Sequence, residues 1–76
     1  MKEINLHKAI EAIQALIIEA KVMATQEKSH LEIYNFLDEL EYLPFLLIDK
    51  KETFADYLKE VCKKFNCEKI YKKFVE

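Results

Sequence analysis

The chain has 76 residues, which is room for one hydrophobic core and one domain, over 1–76. It contains no glycine and one proline, which excludes the Gly-rich loops that cradle phosphates and disfavours β-hairpin turns. The formal net charge is −2 and all twelve basic residues are Lys, so the bidentate guanidinium contacts that Arg makes with phosphate or guanine are excluded as well.

The first predicted helix runs from about Asn5, as N-cap, to about Glu27. Apolar residues recur along it at 4-3-4-3-4 spacing, which keeps them on one helix face: Leu6, Ile10, Ile13, Ile17, Ala20 and Ala24. We expect this seam to face the core, widened by Ala9, Leu16 and Met23. Ile18 and Val22 fall outside the seam, so they are either ordinary exposed apolar residues or a second contact face.

The second predicted helix begins at a capping box, Ser29 to Glu32, in which the hydroxyl accepts from a free backbone N–H. Asp38, Glu39 and Glu41 make its outer face acidic. We expect the helix to end at Pro44, because the ring removes an N–H and disfavours helix in the preceding residue. Its predicted inner face holds Ile33, Phe36, Leu37, Leu40 and Leu43.

The segment Phe45–Ile48 is the least amphipathic part of the chain. A run of four apolar residues could be a buried strand, but no partner strand is predicted elsewhere. We therefore expect a buried turn or short helix that lies across the bundle. Whether its side chains face the core or solvent is left open.

The third predicted helix begins near residue 50 or 54 and buries Phe54, Leu58, Val61 and Phe65. Asn66 can end it and cap a last segment over 67–75, in which Ile70, Tyr71 and Phe74 share one side. The sequence thus predicts an all-α fold, a small bundle of three to four helices with short antiparallel connections.

Candidate catalytic and metal-binding groups are sparse. Ser29 is the only serine and is interpreted as a cap, while Glu3, His7 and Glu11 form an i, i+4, i+8 stripe that we interpret as an exposed polar face. We predict that this chain is not an enzyme and has no catalytic residues, metal site or cofactor.

The two cysteines lie five residues apart, which indicates neither a disulfide framework nor a zinc site and favours a reducing cytoplasmic setting. Cys62 borders the predicted core and is interpreted as a small buried hydrophobe. Cys67 is expected to be exposed, with Lys63, Lys64 and Lys69 nearby to favour its thiolate.

Two functional interpretations from different classes remain. The stronger is a helical protein–protein interaction module, a regulator or inhibitor of a partner protein, that also associates with itself as a homodimer. No segment is long and apolar enough to predict a membrane span. The candidate interface, with the acidic face of helix two steering a basic partner, consists of Ile18, Val22, Phe45, Leu46 and Leu47.

The alternative is nucleic-acid binding by the C-terminal third. Residues 1–49 carry four Lys and nine acidic residues, whereas residues 50–76 carry eight Lys and five acidic residues. Lysines with interleaved Tyr57 and Tyr71 could bind phosphates and stack on bases. The absent Arg and the acidic overall balance argue against it. The candidate patch is Lys63, Lys64, Lys72 and Lys73.

Overall fold

The computed structural model of this chain describes residues 4–75, which contain four α-helices and no strand. They are α1 (Leu6–Thr25), α2 (His30–Asp49), α3 (Lys51–Lys64) and α4 (Glu68–Phe74). The segments that connect them are residues 26–29, residue 50 and residues 65–67. The predicted all-α bundle of three to four helices is confirmed, and these residues form four.

The side chains of Asn5 and Ser29 cap the N-termini of the two long helices, α1 and α2. Oδ1 of Asn5 accepts a hydrogen bond from the backbone N–H of Lys8 at 2.8 Å, and Oγ of Ser29 accepts one from Glu32 at 3.2 Å. Each bond satisfies an N–H that has no partner within the helix. Both predicted N-caps are therefore confirmed.

Left-handed residues end α1 and α3 although the chain has no glycine. Glu27 has φ 59° and Asn66 has φ 64°. After α1, the N–H of Lys28 donates to the carbonyl of Met23 at 3.2 Å, and after α3 the N–H of Cys67 donates to that of Cys62 at 2.7 Å. These are the six-to-one bonds of Schellman motifs, which need a left-handed residue just past the helix.

The face of α1 that enters the core differs from the one predicted. The buried residues of α1 are Ala9, Ala12, Leu16, Ala20 and Met23. Of the predicted seam, Leu6 is 54%, Ile10 46% and Ile17 41% exposed, and Ala24 is exposed too. The predicted seam is thus wrong for these residues. Successive helix positions are 100° apart, so small alanines face inward and large aliphatics lie about 90° to one side.

Helix α2 continues through Pro44 to Asp49, so the predicted end at Pro44 is wrong. Pro44 is exposed, whereas Leu43 is fully buried and Leu47 is half-buried against the core. Core packing on both sides of the proline holds the helix, at the cost of one missing N–H donor. The inner face is confirmed for Phe36, Leu40 and Leu43, but Leu37 is exposed.

The prediction of a buried turn or short helix across the bundle at Phe45–Ile48 is therefore wrong as well. All four residues belong to the last turns of α2. Leu46 and Leu47 are half-buried, while Phe45 and Ile48 are 64% and 81% exposed. Helical geometry distributes four consecutive apolar residues around the axis, so they cannot all reach the core.

Helices α2 and α3 run antiparallel. Phe36 pairs with Phe65 at 4.7 Å between ring centroids, and Tyr42 pairs with Tyr57 at 6.0 Å. The earlier residue of α2 thus contacts the end of α3, and the later residue of α2 contacts the middle of α3. Helix α1 packs against α2 and α4, and α3 also packs against both, so each helix has two neighbours around the core. The buried side chains of α3 are Phe54, Ala55, Leu58, Val61 and Cys62.

Across residues 4–75, no helix combines the length and the apolar character that a bilayer crossing requires.

Candidate functional site

A groove of about 720 Å³ lies on the outer side of α2, toward its C-terminal end. Tyr42 and Phe45 line it with more than half of their surface exposed, and Leu46 is half-buried beside them. The ring of Tyr42 also packs against the ring of Tyr57 on α3. The remaining lining residues are Asp38, Glu41, Asp49 and Lys50. We call this the α2 groove.

The α2 groove is acidic. Three carboxylates and one ammonium line it, which leaves a local charge of −2 at neutral pH. None of these carboxylates forms an ion pair with a residue that the structure describes. Aromatic rings flanked by unpaired carboxylates attract cations through both the charge and the negative ring faces.

Four of the seven residues that line this groove were named from the sequence: Asp38, Glu41, Phe45 and Leu46. Asp38, Tyr42, Phe45 and Asp49 follow 4-3-4 spacing, which is one row on a helix. We predicted the interface residues Phe45 and Leu46 but missed Tyr42 and Asp49, because a helix that ends at Pro44 breaks the row. The 4-3-4 spacing of these four residues was the signal available in the sequence. It predicts one surface only if the helix continues through Pro44.

A second surface lies where α1 meets α2. Glu19 lines a cavity together with Cys67, Glu68 and Ile70, so it marks the α4 side of α1. Leu6, Ile10 and Ile17 lie on the opposite side of the buried stripe. This is the side of α2, because among the helices of residues 4–75 α1 packs against α2 and α4 alone.

The same reasoning places an apolar stripe of α2 beside them. Glu39 bonds to Tyr57 and Lys64, so it marks the α3 side of α2. Leu37, Pro44 and Ile48 lie on the opposite side, which is the side of α1. We call these six exposed residues the α1/α2 face: Leu6, Ile10, Ile17, Leu37, Pro44 and Ile48.

The predicted interface residues do not form one patch. Ile18 and Val22 are exposed on the outer side of α1, about 100° and 140° around the helix from Ile17. Phe45 and Leu46 lie in the α2 groove, and Leu47 packs against the core. Ile18 and Val22 therefore belong to a different surface from Phe45.

The predicted lysine patch is partly engaged within the fold. Nζ of Lys64 lies 3.3 Å from Oε1 of Glu39 and 5.6 Å from the ring centroid of Phe65. Lys73 sits over the ring of Phe74 at 5.3 Å. Lys63 and Lys72 are exposed. The two tyrosines expected to stack on bases, Tyr57 and Tyr71, are both half-buried.

Both thiols are buried and free. Burial raises the pKa of Cys62 to about 11 and that of Cys67 to about 12. The prediction for Cys62 is confirmed. The prediction of an exposed, activated Cys67 is wrong, because the turn at Asn66 folds this side chain into the core, where its Sγ donates to the carbonyl of Phe65 at 3.3 Å.

The predicted polar stripe of α1 is only partly visible, because Glu3 lies outside the described residues. Nε2 of His7 lies 2.9 Å from Oε1 of Glu11, and both side chains are exposed. Over residues 4–75, no three His, Cys, Asp or Glu side chains are close enough together to hold a metal ion.

Comparison of this chain with protein-family models, with curated proteins and with solved structures finds no match.

Proposed function

We propose that this protein is a small helical protein–protein interaction module that takes a basic segment of a partner protein in the α2 groove. The observation that carries the proposal is the combination of Tyr42 and Phe45, both largely exposed, with the carboxylates of Asp38, Glu41 and Asp49, none of which forms an ion pair with any of residues 4–75. Such a surface suits a segment with Lys or Arg beside apolar side chains.

The apolar part of the groove supplies the affinity in this proposal. Interfaces depend on a few buried aromatic anchors, and exposed charges at the rim mainly steer the approach. Phe45 lies at the centre of the row, between Tyr42 and Asp49. We therefore assign Phe45 as the anchor and the carboxylates as the groups that select a cationic partner.

We further propose that the module regulates or inhibits its partner inside the cell, in the cytoplasm. The two free thiols support a reducing compartment, since neither is in a disulfide. Binding of the partner's basic segment in the α2 groove would regulate the partner by masking that segment.

The test uses fluorescence anisotropy with a labelled 12-residue peptide of alternating Lys and Leu, and a Glu–Leu peptide as the opposite charge. We expect salt-sensitive binding of the Lys–Leu peptide alone. Phe45→Ala should weaken it at least about tenfold, as expected for an aromatic anchor. Asp38→Asn with Asp49→Asn should weaken it and reduce its salt dependence.

Glu52→Gln with Glu60→Gln is the matched control, because it removes two exposed acidic charges from α3, outside the groove. If this control weakens binding as much as the groove variant does, the attraction is only the net charge and the proposal is wrong. Absence of binding by the wild-type protein also contradicts it.

Nucleic-acid binding stays the alternative. It predicts salt-sensitive binding of a labelled single-stranded oligonucleotide that is lost when Lys63, Lys64, Lys72 and Lys73 are changed to Glu. The ion pair of Lys64 with Glu39 and the half-buried tyrosines make us favour the protein partner.

A further inference from the structure

We infer that the cationic side chain which the α2 groove selects is arginine rather than lysine, so that the partner segment carries Arg beside apolar side chains. The assignment of arginine rests on the proposed function, because it names the chemistry of the occupant of the same groove. Three features of the groove support it: the order of rings and carboxylates along α2, the fixed ring of Tyr42, and the position of Lys50.

Rings and carboxylates alternate along α2 at a spacing of about one helical turn. Phe45 has Glu41 four residues before it and Asp49 four residues after it. Tyr42 has Asp38 four residues before it. Side chains four residues apart on a helix are neighbours, with about 5–6 Å between their Cβ atoms. Each of the two exposed rings therefore has a carboxylate beside it along the helix axis.

A guanidinium group can use a ring and a carboxylate at the same time. It is planar and weakly hydrated, so it stacks on an aromatic face while its N–H groups, which point outward in the plane, donate to a carboxylate next to the ring. An ammonium is a compact, strongly hydrated point charge without a flat face. Because the rings and carboxylates of the groove are exposed, an ammonium keeps much of its water there. The alternating order therefore favours arginine.

The ring of Tyr42 is oriented before a partner binds. Its centroid lies 6.0 Å from that of Tyr57, and the hydroxyl of Tyr57 donates a hydrogen bond to Glu39. A side chain that is already held in place loses less conformational entropy on binding. A planar guanidinium benefits more from this fixed orientation than an ammonium does, because stacking depends on the angle between two planes.

The groove already has a lysine at its edge, and this lysine does not occupy it. Lys50 lines the groove next to Asp49. Among residues 4–75, its ammonium forms no ion pair with a groove carboxylate and no cation–π contact with Tyr42 or Phe45. Three other lysines of the same residues do lie over rings, at 5.3 to 5.9 Å from the ring centroids. The rings and carboxylates of the groove thus stay open to a second cation.

The composition of the chain gives this preference a consequence. None of the 76 residues is Arg, whereas twelve are Lys. A second copy of these residues can therefore offer the groove only ammonium groups. Specificity is a difference between two affinities, so a preference for guanidinium over ammonium would separate the partner's segment from the lysines of other copies.

The experiment is fluorescence anisotropy of the full chain with labelled 12-residue peptides that alternate Leu with one cationic residue: Lys, Arg, asymmetric dimethylarginine or trimethyllysine. We expect the Arg–Leu peptide to bind at least about tenfold more tightly than the Lys–Leu peptide at the same salt concentration. Dimethylarginine keeps the charge but blocks bidentate hydrogen bonding, so its peptide should bind with about the affinity of the Lys–Leu peptide. Trimethyllysine should bind no more tightly than Lys.

Two variants test the assigned groups. Phe45→Leu keeps an apolar side chain but removes the ring, so the preference for Arg over Lys should fall below about threefold. Glu41→Gln with Asp49→Asn should lower the preference in the same way, because the acceptors beside the ring lose their charge. The matched control is Glu52→Gln with Glu60→Gln, outside the groove, which should keep the full preference. Circular dichroism checks that all variants remain helical.

Equal affinities of the Arg–Leu and Lys–Leu peptides overturn the assignment of arginine and leave the proposed groove function intact, since both peptides still bind. Tightest binding of the trimethyllysine peptide also overturns it, because the rings then act as a cage for a quaternary ammonium. A preference for Arg that survives in both groove variants overturns it too, because arginine is then bound elsewhere. Absence of binding by all four peptides contradicts the proposed function together with the assignment.

Discussion

The hydroxyl of Tyr57 on α3 donates a hydrogen bond to Oε2 of Glu39 on α2. This bond is the main reason that the pKa of Glu39 lies below its usual value, while burial followed by the bond to Glu39 raises the pKa of Tyr57 to about 12. Nζ of Lys64 approaches the other carboxylate oxygen at 3.3 Å. The three side chains connect the two helices beside the α2 groove.

Tyr57→Phe should lower the free energy of unfolding by about 1 kcal/mol at neutral pH, as expected for one partly exposed hydrogen bond. The pKa of Glu39 is lower in the folded chain than in the unfolded one, so its contribution is present above the unfolded pKa and is lost as the pH falls through the folded one. Urea titrations from pH 7 to 2 should show the two proteins converging at acid pH. A gap that persists at pH 2 contradicts this account.

The register of α1 can be tested by one substitution at two positions. Ala12 is fully buried, so Ala12→Leu should overpack the core and cost about 1–3 kcal/mol. Ala24, which the predicted seam placed inside, is exposed, so Ala24→Leu should change stability by no more than about 0.5 kcal/mol. Chemical denaturation measures both. Equal costs at the two positions would restore the seam as the core face.

Pro44 should be a source of instability within α2. It is exposed and inside the helix, where proline is up to about 3 kcal/mol less favourable than Ala. Pro44→Ala should therefore raise the free energy of unfolding by about 1–3 kcal/mol and raise Tm. Asn35→Ala, at another exposed position of α2, serves as the control. It should raise the free energy of unfolding by less than about 1 kcal/mol. A destabilised Pro44→Ala protein contradicts a continuous α2.

The thiols should be unreactive in the folded chain. At pH 8 the raised pKa values of Cys62 and Cys67 leave little thiolate, so alkylation by iodoacetamide should be roughly 100-fold slower than in urea. Peptide mapping by mass spectrometry follows each cysteine separately. Labelling of Cys67 at the denatured rate would mean that it is exposed.

Alkaline pH should also weaken the fold through the same groups. The folded pKa values of the two thiols and of Tyr57 lie above their unfolded values, so the unfolded chain releases protons first. Their contribution is complete below about pH 8.5 and declines as the pH rises toward 12. The free energy of unfolding, measured from pH 8 to 11, should fall over this range.

Local signals in the sequence were enough to predict the helices and the residues at which α1 and α2 begin. Asn5 and Ser29 cap α1 and α2 as predicted because a side-chain oxygen satisfies a nearby backbone N–H, which is a contact between residues three apart. Asn66 ends α3 for an equally local reason, since it tolerates a left-handed conformation. The buried Cys62 likewise follows from its place beside Val61 on α3.

The tertiary structure decided which side of each helix faces inward. Periodicity shows that α1 has an apolar side, but Leu6 and Ala9 are both on it, and only packing against α2 and α4 selects the alanines. The packing of Leu43 and Leu47 against the core likewise holds α2 together through Pro44, against the local preference. The sequence by itself therefore determined the helices, whereas the α2 groove and the α1/α2 face depend on how far each helix extends and how it is rotated. Both of these depend on contacts between residues that are distant in the chain.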